Sequence, residues 1–204
     1  MSQKQESDDE LWLRLRTGDE QAFLTLYRRR QGALHRFALH MSGSAGVAED
    51  ITQEVFLALL REECAYDPER GTLSGYLFGI ARKLVLRHLE RTRSDVTLEN
   101  VEHSGDAGKA PTSGVDLLAD LTQREKIQAL RRAVAALPSR YREVVVLCDL
   151  EEVDYAVAAA AIGCPIGTVR SRLHRARALL LEKLNHERQP RAAVNALRPI
   201  RSWI

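Results

Sequence analysis

The amino-acid sequence predicts an all-α protein: two small helical domains joined by a flexible linker, the second carrying a helix-turn-helix. Three observations lead there. Apolar residues return at steps of three and four over most of the chain, and strand-like alternation is nearly absent. A stretch rich in Gly, Pro and Ser interrupts that periodicity near the middle. Late in the chain a Gly-containing turn is followed by an amphipathic helix with a basic face. The 204 residues leave room for one or two domains, and only 5% are aromatic, so the cores must be aliphatic and alanine-rich, as in packed helices.

The first domain spans 8–94, with breaks at Gly43–Gly46 and at Tyr66–Gly71. Within it, Ala48–Leu60 is strongly amphipathic. Ile51, Val55 and Leu59 recur at steps of four with Ala58 beside them. Asp50, Gln53, Glu54 and Leu57 share another face, and Phe56 adds a large apolar side chain next to it. Such a mixed face can dock on a helix of another protein, although spacing alone favours an ordinary solvated acidic face. After the turn-rich loop Tyr66-Asp67-Pro68-Glu69-Arg70-Gly71-Thr72 comes a helix, Leu73–Arg93, with Leu73, Leu77, Ile80 and Leu84 as its expected buried stripe. Arg82, Lys83, Arg87, His88, Arg91 and Arg93 make this helix basic, with Glu90 as its one acid after Leu73. A basic helix beside Tyr76 and a polar loop suits single-stranded DNA, whose phosphates follow the charges while unstacked bases find pockets. For a lone tyrosine such as Tyr76, a place in the core is the more usual role.

Residues 95–119 read as the linker, with Gly105, Gly108, Pro111, Ser113 and Gly114 crowded together. The second domain spans 120–185, broken at Leu137-Pro138-Ser139. Asp154 is placed to cap a short helix, Tyr155–Ile162, that stops at Gly163. Thr168 then sits at the N-cap or first turn of the next helix, over 168–183. Val169, Leu173, Ala176, Leu180 and Leu184 form its apolar face; Arg170, Ser171, His174 and Arg175 lie opposite, flanked by Arg172 and Arg177. Guanidiniums and short hydrogen-bonding groups on one helix face fit the major groove, where arginine pairs bidentately with guanine edges. The tail, 186–204, holds no acid beyond Glu187 but carries Arg188, Arg191, Arg198 and Arg201, and is expected to be disordered.

Other classes find little support. Cys64, Cys148 and Cys164 are odd in number and widely spaced, which suits small buried or half-buried thiols of a reducing compartment. No nucleophile–base set, phosphate-binding Gly loop or metal-ligand spacing stands out, so no catalytic residue, metal or cofactor is expected and the chain does not read as an enzyme. No signal peptide or membrane-spanning run is evident, and the expected location is the cytoplasm without membrane insertion.

Taken together and in order, Gly18-Asp19-Glu20-Gln21-Ala22-Phe23, Ala48–Leu60, Leu77-Phe78-Gly79-Ile80-Ala81-Arg82, Leu137-Pro138 with Arg142, and Gly167–Arg177 resemble bacterial sigma factors of the sigma-70 family, specifically the small extracytoplasmic-function (ECF) group. The resemblance implies a first domain that binds core RNA polymerase and the −10 promoter element. It places Asp50, Gln53, Glu54 and Phe56 at polymerase-contacting positions, which reverses the bland expectation for that face. It assigns the opening of the −10 duplex and capture of a flipped base to the loop 66–72 and the helix after it, hence to Tyr66, Asp67, Tyr76, Arg82, Lys83 and Arg87. Thr168, Arg170, Ser171, Arg172, His174 and Arg175 match positions that contact the −35 element. The implied partners are core RNA polymerase, promoter DNA and an anti-sigma factor. The rival expectation is a stand-alone helix-turn-helix regulator that binds duplex DNA without polymerase.

Three departures from the family pattern stand out. Tyr76 replaces a usual tryptophan and Lys83 a usual asparagine. Ala156-Val157-Ala158-Ala159-Ala160-Ala161 occupies a helix that in the family carries acids and isoleucines. Alanine keeps the helix, but it gives up buried volume, on the order of 1–3 kcal/mol unless neighbours compensate.

Overall fold

A computed structural model of the chain describes residues 6–61, 64–96 and 117–188. Among these residues the chain is helical, with no strand. Helix α1, Asp8–Arg16, begins with a capping box: Glu10 N–H donates to the Ser7 hydroxyl at 3.2 Å, and Ser7 N–H donates to the Glu10 carboxylate at 2.7 Å. Helix α2, Glu20–Ser42, is capped by Asp19, which accepts from the N–H groups of Gln21 and Ala22. It ends at Gly43 in the left-handed conformation (φ 77°), which terminates a helix without a Cβ clash. Helix α3 is Ala45–Leu60 and α4 is Leu73–Val96.

The long helix α2 is the hub of this N-terminal set, with α1, α3 and α4 packed on it. Leu26, Leu34, Phe37, Val55, Leu59, Leu73, Leu77 and Val85 are fully buried between them. The Phe37 and Phe78 rings meet edge to face at 5.7 Å. Asp8, at the positive end of α1, pairs with Arg29 at 2.6 Å and with Arg30, clipping α1 to α2. The buried stripe of α4 corrects the sequence expectation. Leu73 and Leu77 are buried as predicted, but Phe78, Ala81 and Val85 complete the stripe, while Ile80 and Leu84 are half-buried. The stripe turns away from Ile80 and Leu84 beyond Leu77 because α4 is covered on more than one side.

The C-terminal set comprises α5, Leu117–Ala135; α6, Ser139–Val145; a π-helical turn, Val146–Leu150; α7, Tyr155–Ile162; and α8, Ile166–Arg188. Helices α5, α6 and α7 pack around α8, burying Val134, Leu137, Val144, Leu147, Ala158, Ile162, Val169, Leu173 and Ala176. Helix α7 has the predicted bounds, and Asp154 holds its N-cap position without a side-chain hydrogen bond. Helix α8 starts at Ile166, two residues earlier than predicted, so Thr168 lies in its first turn. Helices α4, α5 and α8 each extend a few residues into segments read as linker and tail. Residues 97–116 and 189–204, on which most of those expectations fall, lie outside the described residues.

The two sets share one continuous hydrophobic core, running from Leu11 to Leu180. Helix α7 lies on α4, where Gly75 and Gly79 present bare backbone one turn apart. A Cβ on Gly75 would stand 3.4 Å from Cγ1 of Val157, and one on Gly79 would stand 3.7 Å from the Ala161 carbonyl oxygen. The volume that the alanines give up inside their own set is thus met by a neighbour from the other.

Polar contacts reinforce the junction. Arg36 of α2 makes a bidentate pair with Glu151 at 2.9 and 2.6 Å, and the Glu151 side chain is only 1% exposed. Arg142 donates to the Met41 carbonyl at 3.1 Å across the junction, and within its own set to the carbonyls of Leu137 (3.1 Å) and Ala135. Burial lowers the pKa of this guanidinium from its usual value.

Candidate nucleic-acid and protein interfaces

The helix-turn-helix follows from local chemistry. Gly163, at φ 74°, closes α7 by donating its N–H to the Ala159 carbonyl at 2.9 Å. Pro165 then opens α8, and its carbonyl accepts from Thr168 N–H at 2.9 Å. Val169, Leu173, Ala176 and Leu180 anchor α8 in the core as predicted. Arg170, Ser171, His174 and Arg175 are all exposed on the outer face, while Thr168 is half-buried. The Ser171 hydroxyl donates to the Thr168 carbonyl at 3.1 Å, which leaves its oxygen as an outward acceptor. The two flanking arginines pair with carboxylates of the protein instead. Arg172 donates to Glu143 Oε1 at 3.2 Å, and Arg177 makes a bidentate pair with Asp149 at 3.1 and 2.6 Å.

The loop after α3 and the first turns of α4 form a second site. Tyr66 is buried between Trp12, edge-on at 5.8 Å, and Tyr76 at 5.4 Å. Its hydroxyl donates to Asp9 and lies 3.1 Å from the Gly71 carbonyl. Burial, and then the bond to Asp9, push the Tyr66 phenol well above its usual range. Asp67 folds the loop by accepting from Glu69 N–H at 3.0 Å. Tyr76 is half-buried, with the Cys64 thiol 3.6 Å from its hydroxyl; burial and that thiol raise its pKa. A cavity of about 430 Å³ is lined on one side by Tyr66, Asp67, Arg70, Tyr76, Arg82 and Lys83, and on the other by residues 160–163 of α7 and its cap. Lys83 and Arg87 are exposed. Arg82 instead points across the junction, donating its Nε to Glu143 Oε2 at 2.8 Å.

On α3, Asp50 and Gln53 are exposed, and the half-buried Glu54 pairs with Arg61 at 3.1 Å. Phe56 is 3% exposed, packed edge to face on Phe23 at 6.1 Å and against Tyr27 at 4.8 Å. The apolar surface that α3 offers outward comes from Leu57 and Leu60, 53% and 49% exposed. Beside them, Arg28, Gln31 and His35 of α2 line a polar cleft with Glu49, Thr52 and Gln53. Sequence reasoning missed these three, although their steps of three and four mark one helix face.

Cys64, Cys148 and Cys164 are free and half-buried, and burial raises the Cys148 thiol to about 11. No helix among the described residues is long and apolar enough to cross a membrane.

Comparison with known proteins places both regions. Residues 26–94 match the family model for Sigma-70 region 2, and residues 127–180 that for Sigma-70, region 4. The chain is 32% identical over 179 residues to ECF RNA polymerase sigma factor SigC of Mycobacterium tuberculosis (strain CDC 1551 / Oshkosh), a match covering 86% of this chain and 92% of that protein. The chain belongs to the ECF RNA polymerase sigma factors of the sigma-70 family. This ECF sigma factor is also 34% identical over 172 residues to ECF RNA polymerase sigma factor SigE of Mycolicibacterium smegmatis (strain ATCC 700084 / mc(2)155). That match covers 82% of the chain and 65% of the relative. Among solved structures it resembles the sigma factor RpoE from Bartonella quintana, crystallised with the anti-sigma factor NepR, at a TM-score of 0.64 and 26% identity, covering 81% of this chain and 98% of that one. It shares its fold with CnrH, solved with the cytosolic domain of CnrY, at a TM-score of 0.65 and 22% identity, covering 89% and 99% of the two chains. The presence of region 2 ahead of the helix-turn-helix disfavours the stand-alone regulator, because such a regulator has no need of it.

Proposed function

We propose that this sigma factor binds core RNA polymerase and confers promoter specificity on it through three surfaces. Domain 8–94 docks on polymerase through α3, with Asp50, Gln53 and Glu54 as polar contacts, Leu57 and Leu60 as the exposed apolar ones, and Phe56 as the buried support of that face. The same domain engages the melted −10 strand through Tyr66, Asp67, Tyr76, Arg82, Lys83 and Arg87. The linker 95–119 connects it to domain 120–185, which reads the −35 duplex through Thr168, Arg170, Ser171, His174 and Arg175. Arg172 contributes by fixing α8 on α6. The basic tail 186–204 is assigned no contact. The protein acts in the cytoplasm with polymerase, which performs the chemistry, so the sigma factor is no enzyme and needs no cofactor or metal. An anti-sigma factor is its expected regulator, in line with the complex of RpoE with the anti-sigma factor NepR.

The observation that carries this reading is the exposed row Arg170, His174 and Arg175 on a helix whose opposite face buries Val169, Leu173, Ala176 and Leu180 in the core. Only a polyanion or acidic partner matches such a row at groove-fitting spacing. Run-off transcription over a panel of promoters, with core polymerase with and without the protein, tests it. Transcripts that depend on the protein and start at defined promoters are expected. Duplex binding without any polymerase-dependent transcript would overturn the reading.

A further inference from the structure

We infer that α1 is the positioning element of the −10 site: Asp9 and Trp12 hold the Tyr66 ring, and Tyr66 in turn sets the Tyr76 ring that receives an unpaired base. The inference deepens the −10 reading above and rests on it. The match to region 2 begins at residue 26, so α1 lies ahead of it.

The loop 66–72 needs an outside anchor. Its internal bonds form a single turn: the Asp67 carboxylate accepts from Glu69 N–H at 3.0 Å, and the Asp67 carbonyl accepts from Arg70 N–H at 3.1 Å. Thr72 already serves α4, its hydroxyl accepting from Gly75 N–H at 3.2 Å. The Tyr66 hydroxyl supplies the tether. It donates to Asp9 and lies 3.1 Å from the Gly71 carbonyl, so α1 is joined to the start of the loop within reach of its end. A phenol–carboxylate bond is charge-assisted and directional. Burial keeps the phenol protonated, so the donor persists.

Three rings then run from α1 to α4. Trp12 meets Tyr66 edge-on at 5.8 Å, and Tyr66 meets Tyr76 at 5.4 Å with planes tilted by 43°. Their exposure divides the roles. Trp12 is 4% exposed and Tyr66 9%, too little for either to stack on a base. Tyr76 is half-buried and lines the cavity with Asp67, Arg70 and Lys83. The Cys64 thiol, 3.6 Å from the Tyr76 hydroxyl, fixes the far end of the row. A ring held in place beforehand spends less of its stacking energy on being ordered. Tyr66 therefore engages the strand by supporting Tyr76.

Helix α1 is anchored without Asp9. Asp8 pairs with Arg29 and Arg30 of α2, and Arg30 reaches the Ser74 hydroxyl of α4 at 3.4 Å. Leu11 is buried in the core. Loss of the Asp9 carboxylate thus frees the loop while α1 stays docked.

Asp9→Ala and Tyr66→Phe each remove the bond, and both are tested in the full-length chain. Hydrogen exchange of the free protein should rise at least about fivefold over 66–72 in either variant, with α2 and α3 unchanged. With core polymerase, protein-dependent transcription from a duplex promoter should fall about tenfold, as expected for one charge-assisted bond. Combining the two changes should cost no more than either alone. Replacing the −10 pairs of the same promoter by mismatches should restore most of the lost activity, because the strand no longer has to be opened. A merely structural defect would lower both templates equally. Equal loss on the two templates, full activity on the duplex, additive effects, or unchanged exchange over 66–72 would each overturn the positioning role. If wild type directs no transcription from either template, the −10 reading fails and the inference with it, while exchange still reports whether α1 anchors the loop.

Discussion

Arg82 of α4 donates its Nε to Glu143 of α6 at 2.8 Å, a contact that spans 61 residues of sequence and joins the two helical sets through a carboxylate withdrawn from water. Arg172 takes the other oxygen of the same group. Replacing Glu143 by Gln removes the charge that two partly buried guanidiniums need. The arginines keep 25% and 29% of their side-chain surface, so the loss falls below that of a fully buried pair, at about 1–3 kcal/mol. Urea denaturation measures it. A double-mutant cycle with Arg82 should show strong coupling, and additivity of the two changes would contradict the contact.

Phe56→Ala and Leu57→Ala should separate support from contact on α3. Phe56 fills an aromatic cluster with Phe23 and Tyr27, so its truncation should cost about 3–5 kcal/mol and lower the melting temperature. Leu57 is 53% exposed, so Leu57→Ala should melt within about 0.5 kcal/mol of wild type while weakening binding to core polymerase. Thermal melts paired with polymerase titration distinguish the two. Equal effects of both changes on stability would refute the assignment.

Arg175→Ala and Arg172→Ala should differ in kind. Arg175 is exposed on α8, so its loss should weaken binding to a −35 duplex and, where it meets a phosphate, reduce the salt slope by about one. Arg172 is spent on Glu143, so its loss should appear first as lost stability. Fluorescence anisotropy over a salt series, alongside denaturation, resolves the two.

His40 is half-buried on α2. Burial, and then the charges of Arg131 and Arg36, hold its pKa below the usual 6.5. The folded state therefore binds fewer protons than the unfolded chain once pH drops below about 6.5. The stability contributed by neutral His40 is complete above that value and is lost as pH falls through the folded pKa. His40→Gln should flatten this acid-side decline below about pH 6.5. A variant whose stability falls as steeply as wild type would show that other groups dominate.

What the sequence disclosed and what it concealed divide along physical lines. The turn at Gly163, the short helix before it and the apolar face Val169–Leu180 were legible because capping and 3.6-residue periodicity act within a few residues. The packing of α7 on α4 was not, because nothing in Ala156–Ala161 says which smooth surface will meet it. For the same reason the stripe of α4 was misplaced: a helix covered on two sides buries more than one face. Basic character marked α8 but did not tell which of its arginines pair within the protein, since Arg172 and Arg177 find carboxylates on α6 and the turn after it. Phe56 was read beside an outward face, yet two aromatic rings from α2 draw it inside.

The π-helical turn at Val146–Leu150 works as a phasing device. Its wider winding, sealed by Glu151 N–H on the Val146 carbonyl at 2.9 Å, sets the angle at which Asp149 meets Arg177 and Glu151 meets Arg36. Each residue of an α-helix turns the chain by about 100°. Deleting one residue here would swing Glu151 off Arg36 while leaving the apolar content of the segment untouched. The length of this turn, more than its composition, is what keeps the two halves of the molecule in register.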